Sequence, residues 1–242
     1  MDAHNSENNK TCIEPIAHIH TGFSEKFGIP RQSCLVSGLT GRIVFEKKFR
    51  DTESVRGLEG FSHIWIIWHF SQAVPASFRA TVRPPRLGGN ERVGVFATRS
   101  PFRPNSLGLS CVKLESVDLS CSDAPVLNVS GIDMLDGTPI FDIKPYVPIT
   151  DLHADASEGF TEDTKTHVLE VVFENGLLEK LPKEIAEAVT GILGNDPRPG
   201  YADDPDRIYG LSYSGYDIGF RSDGKRAYVV RAQKETDTKN RS

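Results

Sequence analysis

Residues 83–110, RPPRLGGNERVGVFATRSPFRPNSLGLS, hold the densest set of chemistry-bearing side chains in the chain. Between Arg79 and Arg103 six arginines stand against a single acid, Glu91. A guanidinium is a planar, permanently charged fork that binds carboxylates and phosphates through paired hydrogen bonds. Pro84 and Pro85 fix the backbone, and Gly88-Gly89-Asn90 reads as a tight turn, so the stretch is not a helix. Residues 93–97 (VGVFA) read as a short strand, with Gly94 allowing close backbone approach. Stiff loops with fixed cations suit an anionic or carboxylate-bearing ligand. The same composition also fits a solvated loop pair whose arginines make surface ion pairs.

Two more loops carry comparable residue types, Pro30-Arg31-Gln32 and residues 133–138 (DMLDGT). Paired acids such as Asp133 and Asp136 take a ribose diol or an ammonium, and Gly137 lets a ligand reach the main chain. With Arg99–Asn105 these make three loops beside predicted strands, where rigid scaffolds usually present function. From the residues alone the ligand is a small molecule resembling a nucleoside with an amino-acid tail, or else the three are ordinary connections. Other chemistries have less support. His18-x-His20 lacks further ligands at metal spacing. No GxSxG, HExxH or GxxxxGK[ST] occurs. Cys34 beside Arg31 is a candidate thiolate for a hydrolase, on the strength of one basic neighbour. Trp65 and Trp68 read as core.

These loops need a strand scaffold. Predicted strands cover 13–20, 36–45, 64–70, 107–117, 126–132 and 140–146, with turn signals every 8–12 residues, and residues 51–60 read as a short helix. Such spacing predicts a closed or nearly closed β architecture. No βαβ rhythm and no GxGxxG after a strand appear, which disfavours a Rossmann-type nucleotide fold. Residues 154–166 read as a linker and 195–209 as a Pro/Asp-rich loop. Beyond the linker come a strand at 168–173, a helix over 182–193, and a hairpin over 215–232 turning at Asp223-Gly224. The expected fold is mainly β, a small N-terminal β-barrel domain (13–153) followed by a smaller α+β C-terminal domain (160–235), after a disordered tail at 1–12.

The chain of 242 residues is 38% apolar and 25% charged, ordinary for a globular protein. Its net charge of −5 divides into +1 over residues 1–150 and −6 over 151–242, so a polyanion must be met by a local patch. No apolar run approaches the roughly 20 residues needed to span a bilayer. Four cysteines without CxxC spacing, and no secretory or lipidation pattern, predict reduced thiols and a cytoplasmic protein.

Four segments together resemble a known family: PRQ at 30–32, VRGLEGFSHIWII at 55–67, residues 81–110, and DMLDGTPIFDIKPY at 133–146. They resemble the TsaA-like family, the bacterial TrmO methyltransferases. Residues 196–210, DPRPGYADDPDRIYG, resemble the second domain of its two-domain bacterial members, and the likeness spans about 13–235. The resemblance implies an S-adenosylmethionine-dependent tRNA methyltransferase acting on N6 of threonylcarbamoyladenosine beside the anticodon. It also implies a β-barrel and a homodimer with the cofactor near the subunit boundary. A non-catalytic cofactor-binding or sensing module on the same barrel is the alternative.

Carried over by motif, the cofactor contacts are Pro30, Arg31, Gln32, Ser71, Gln72, Arg99, Leu109, Asp136, Gly137 and Thr138. Candidates for a general base are Asp133 and Asp136, with Asp142 and His63 behind them. Arg83, Arg86, Arg92 and Arg103 are the natural partners of anticodon-loop phosphates or the threonyl carboxylate. In the second domain Arg198 and Arg207, with Tyr201 and Tyr209, either grip the tRNA or pack the domain. Neither a metal nor a membrane is implied.

Overall fold

The computed structural model describes residues 11–73, 77–84, 87, 91–164, 168–199 and 204–235. Six strands close into a barrel: β1 (Ala17–Thr21), β2 (Thr40–Phe45), β3 (His63–His69), β6 (Leu107–Asp118), β7 (Val126–Ser130) and β8 (Thr138–Pro145). Their order around the wall is β1-β2-β7-β6-β3-β8, and every neighbouring pair is antiparallel. A two-stranded ribbon, β4 (Thr81–Val82) with β5 (Val93–Gly94), lies within the β3–β6 connection.

Alternation builds the barrel. In β3 (HIWIIWH) Ile64, Ile66 and Trp68 point inward, and His63, Trp65, Ile67 and His69 outward. Ile19, Ile43, Ile64, Ile66, Val112, Leu127 and Ile140 are fully buried inside. Gly108 sits opposite Trp68 in the register. A Cβ there would lie 2.2 Å from the indole Cε2, so the glycine is the seat that lets this large ring lie flat on the wall.

The antiparallel order decides where the loops go. Thr21 pairs with Gly41, Thr40 with Ser130, His69 with Leu107 and Ile19 with Thr138. Residues 22–39, 70–106 and 131–137 therefore leave the barrel at one end. The connections 46–62 and 119–125 leave at the other.

A short helix α1 (Pro148–Asp151) follows the barrel. The remainder is a four-stranded sheet ordered β10 (Tyr209–Tyr213), β11 (Tyr216–Ser222), β12 (Arg226–Lys234) and β9 (Glu170–Phe173), with β9 parallel to β12. Helix α2 (Lys183–Gly194) buries Ala188, Val189, Ile192 and Leu193. It has no side-chain N-cap, and it keeps Gly194 inside its last turn, with Asn195 as its C-cap. Three local expectations are revised. Residues 93–97 split into β5, paired with Thr81 and Val82, and a 3-10 turn (Val95–Ala97). Residues 51–60 form two 3-10 turns, Thr52–Val55 and Leu58–Gly60. The reading of 195–209 as loop runs into strand β10, which the sequence reading missed and whose alternating Tyr209, Leu211 and Tyr213 are buried on the sheet's inner face.

Candidate active site

The three loops at the common end meet around Asp133. This residue lies three positions past β7, where the chain turns inward. Ser110 Oγ, from the inner face of β6, donates to Asp133 Oδ1 at 2.7 Å. Trp68 Nε1 donates to Ser110 Oγ at 3.0 Å, so indole, hydroxyl and carboxylate form a relay anchored in the wall. Loss of solvent pushes the Asp133 carboxyl up to about 6. The Ser110 hydroxyl, the amides of Asp133 and Ser33, and the Arg99 charge all act in the opposite direction.

Arg99 comes from the β3–β6 connection and its Nη1 donates to Gln32 Oε1. Gln32, Ser33, Arg99, Ser110 and Asp133 thus come from the three loops and the β6 wall and converge within hydrogen-bonding or Coulombic range of one another. Cys34 N donates to Gly131 O at 2.8 Å, which stitches residues 32–34 to the start of the loop carrying Asp133. Cys34 itself is a poor nucleophile. Burial and the Asp133 charge raise its pKa, and its thiol donates to Cys111 O at 3.3 Å.

The other predicted residues divide by position. Ser71 and Gln72 are exposed at the same end, and Lys26 Nζ donates to Gln72 O at 2.8 Å, tying that segment to the 22–39 loop. Pro30 is buried under this loop, while Arg31 is exposed. Leu109 stands on the outer wall of β6 and is 57% exposed. Asp136 belongs to the Asp133 loop, but its side chain turns toward β1. Its Oδ1 accepts from Thr21 N at 3.0 Å and lies 3.3 Å from His20 Nδ1. It lines a cleft of about 660 Å³ shared with His20, Arg42, Glu115 and Asn128. Gly137 has φ +72°, and its N–H donates to Ile19 O. Thr138 is buried, with Oγ1 donating to Leu135 O at 2.7 Å. Asp136 therefore stands on the flank of the Asp133 group.

The two reserve bases stand elsewhere. Asp142 pairs with Lys144 at 2.9 Å on the outer wall. His63, at the start of β3, lies at the opposite barrel end. His18 and His20 face separate carboxylates, Glu46 at 2.8 Å and Asp136 at 3.3 Å. Among the described residues no group of three His, Cys, Asp or Glu side chains could hold a metal, and no helix is long and apolar enough to cross a membrane.

The arginines are not equivalent. Arg83 is exposed, and Arg92 Nη1 donates to Thr81 Oγ1 at 3.1 Å across the β4–β5 ribbon. Arg103 is half-buried, and its Nη1 donates to Thr98 O at 3.1 Å, bracing the turn that presents Arg99. Arg86 and Tyr201 lie outside the described residues. Arg207 is exposed over the Tyr209 ring at 5.0 Å. Arg198, from the same set, lies inward. It is 7% exposed, ion-paired with Asp196 at 2.8 Å, and donates to Ser222 O, so its fork is turned into the protein.

The relay through Gly108, Trp68 and Ser110 was missed by sequence reasoning. Its one visible signal is a serine inside the apolar run LGLSCV, where a buried hydroxyl must find a partner.

Two family descriptions match the chain in succession, the tRNA-methyltransferase O N-terminal domain over residues 18–152 and the TrmO C-terminal domain over 167–235. The tRNA (adenine(37)-N6)-methyltransferase of Escherichia coli K12 is 38% identical over 217 residues, 86% of this chain and 92% of that protein. The protein of the same name from Eikenella corrodens is 41% identical over 170 residues, 70% of this chain and 95% of that protein. A crystal structure of TrmO from Pseudomonas aeruginosa superposes with a TM-score of 0.75 at 33% identity, covering 95% of this chain and all of that one. The chain belongs to the tRNA-methyltransferase O family.

Proposed function

We propose that the protein methylates N6 of the adenine at position 37 of tRNA, with S-adenosylmethionine as donor, and that its substrate is the threonylcarbamoyl form of that base. The observation that carries this reading is the convergence of Gln32, Arg99 and Asp133 from three loops at one barrel end. The donor supplies an electrophilic methyl on a sulfonium. The residue types fit it: Arg99 suits the amino-acid carboxylate, and the carboxylate of Asp133 suits a neighbouring cation. Pro30, Arg31, Gln32, Ser71, Gln72 and Arg99 are assigned to hold the donor from one protomer. Leu109 and residues 136–138 are assigned to the same role across a homodimer boundary. The exposed apolar Leu109 and the flanking position of Asp136 support that arrangement.

Asp133 is the residue assigned to take the N6 proton. With its pKa near 6 the carboxylate is ionised at neutral pH yet more basic than an exposed aspartate. The Ser110 hydroxyl holds its orientation, and the Trp68 indole holds that of the hydroxyl. Asp136 is left to binding, since its carboxylate already accepts the Thr21 amide. Arg83, Arg86, Arg92 and Arg207 meet RNA phosphates, and Arg103 acts by bracing its turn. Adenine 37 must leave its stack, which single-stranded loops permit at low cost. The barrel with its loops, 13–153, is assigned the chemistry, and the protein is assigned to the cytoplasm on the strength of its proposed tRNA substrate.

The test uses methyl-labelled donor and tRNA purified from cells that lack this methyl group. Label in N6-methylated threonylcarbamoyladenosine supports the reading. Label in unmodified adenine 37 alone removes the threonylcarbamoyl part. Donor binding with no transfer to any tRNA replaces the reading with a sensing module.

A further inference from the structure

We propose that the C-terminal sheet and helix are a positioning element for the loop that holds the methyl donor, so that donor affinity is set from behind the site. This rests on the assignment of Pro30, Arg31 and Gln32 to the donor.

Residues 22–39 contain no helix or strand, yet they carry Gln32 and Ser33 to Asp133. An irregular segment holds one geometry only when both of its faces are packed. Its front face meets Arg99, Asp133 and Gly131. Its back face is laid on the C-terminal unit. Phe23 is fully buried, edge-on to Tyr213 at 5.0 Å between centroids. Phe27 stacks near Tyr209 at 6.4 Å and Phe220 at 6.3 Å. Ser214 N donates to Gly22 O at 2.7 Å. Arg31 Nη2 donates to Arg198 O at 3.5 Å, and the carbonyl it meets is held by the Asp196–Arg198 ion pair. The buried Arg198 thus has a role, fixing the turn on which Arg31 leans.

One of the tight points is Gly191 in α2. A Cβ at that position would fall 2.3 Å from Val36 Cγ1, and Val36 is buried four residues beyond Gln32. The α2 backbone and the Val36 side chain therefore meet with no room for a methyl between them. Alanine at 191 favours the helix itself, so the clash transmits to the loop rather than unfolding α2.

The experiment measures the dissociation constant of S-adenosylmethionine by calorimetry on the full-length protein, with the KM for donor, kcat and melting temperature alongside. Gly191→Ala is expected to weaken donor binding about tenfold, given that displacing a positioned group by an ångström or so costs up to about a hundredfold. Its kcat at saturating donor and its melting temperature, within about 4 °C, are expected to hold. Val36→Ala added to Gly191→Ala removes the clashing methyl and is expected to restore most of the affinity. Asp196→Ala, which releases the Arg198 turn without touching α2, is expected to weaken binding about threefold, a smaller misplacement of the same kind. If Gly191→Ala does not fold, Asp196→Ala alone decides. Unchanged donor affinity in a folded variant, or a loss that Val36→Ala does not relieve, overturns the proposal. Gln32→Ala is the control for the underlying assignment. If it leaves donor affinity unchanged, the donor assignment fails. If it weakens binding while the folded C-terminal variants do not, only the positioning role fails.

Discussion

Replacing Asp133 with asparagine separates the catalytic role proposed for this residue from what its charge costs the fold. Asparagine keeps an oxygen that can accept the Ser110 hydroxyl and removes the charge. In the folded protein the carboxyl is carried up from 3.8 to about 6, with loss of solvent as the largest cause. The native state therefore binds this proton more tightly than the unfolded chain. The group's favourable contribution is full below about pH 4 and is lost as pH rises through about 6. At about 1.36 kcal/mol per tenfold change in proton affinity, the ionised carboxylate costs the native state about 3 kcal/mol at pH 7.5. The residue is only half-buried, and water at its rim brings the expected figure nearer 2 kcal/mol. Urea unfolding of wild type and Asp133→Asn at pH 4.5, 6 and 7.5 reads this directly. The stability of the variant relative to wild type should rise by about 1 kcal/mol across that series, the other half of the effect being spent below pH 4.5, while methyl transfer falls by at least about a hundredfold, as expected for loss of a general base. A stability difference independent of pH would mean that the carboxylate is solvated, and the basis for its choice as base would be gone.

The neighbours of Asp133 yield further expectations. Arg99 holds its carboxyl down, so Arg99→Gln should move the acid limb of the pH–rate profile to higher pH and raise the KM for donor. An acid limb that stays in place would separate Arg99 from Asp133. Gly108→Ala puts a methyl into the Trp68 indole and should cost about 1–3 kcal/mol in chemical unfolding, with turnover reduced through Ser110. Unaltered stability would show that the indole shifts freely. Arg83→Ala should lower the slope of log affinity for tRNA against log salt by about one, since Arg83 is exposed. Arg103→Ala should lower melting temperature and donor affinity with little change in that slope, because its guanidinium holds Thr98 O.

The barrel was legible because its strands keep alternation in a single chain of residues. In His63–His69 every second residue is buried, and the same code runs through β6. The strand β10 was harder to read. Its Tyr209, Leu211 and Tyr213 follow a run of prolines and aspartates, and the apolar partners that bury them, Phe23 and Phe27, lie almost two hundred positions earlier. No local window holds both sides of such a contact. The site divided along the same line. That loops at 30–32, 99–105 and 133–138 hold side chains suited to a ligand was visible in the sequence, and their common end follows once the strands are known to be antiparallel. Which acid sits in the centre was not visible, because Asp133 and Asp136 are three residues apart in one loop and differ only in what surrounds them. Asp133 faces Ser110 from another strand, whereas Asp136 faces the Thr21 amide and His20. A loop three residues further round would exchange their roles. The anchors that prevent this are the backbone bonds from Asp136 N to Phe23 O and from Gly137 N to Ile19 O, made to the strand and loop on which the C-terminal unit also bears. The choice between two adjacent carboxylates is thus made by long-range contacts, and the apparent appendage of the chain takes part in making it.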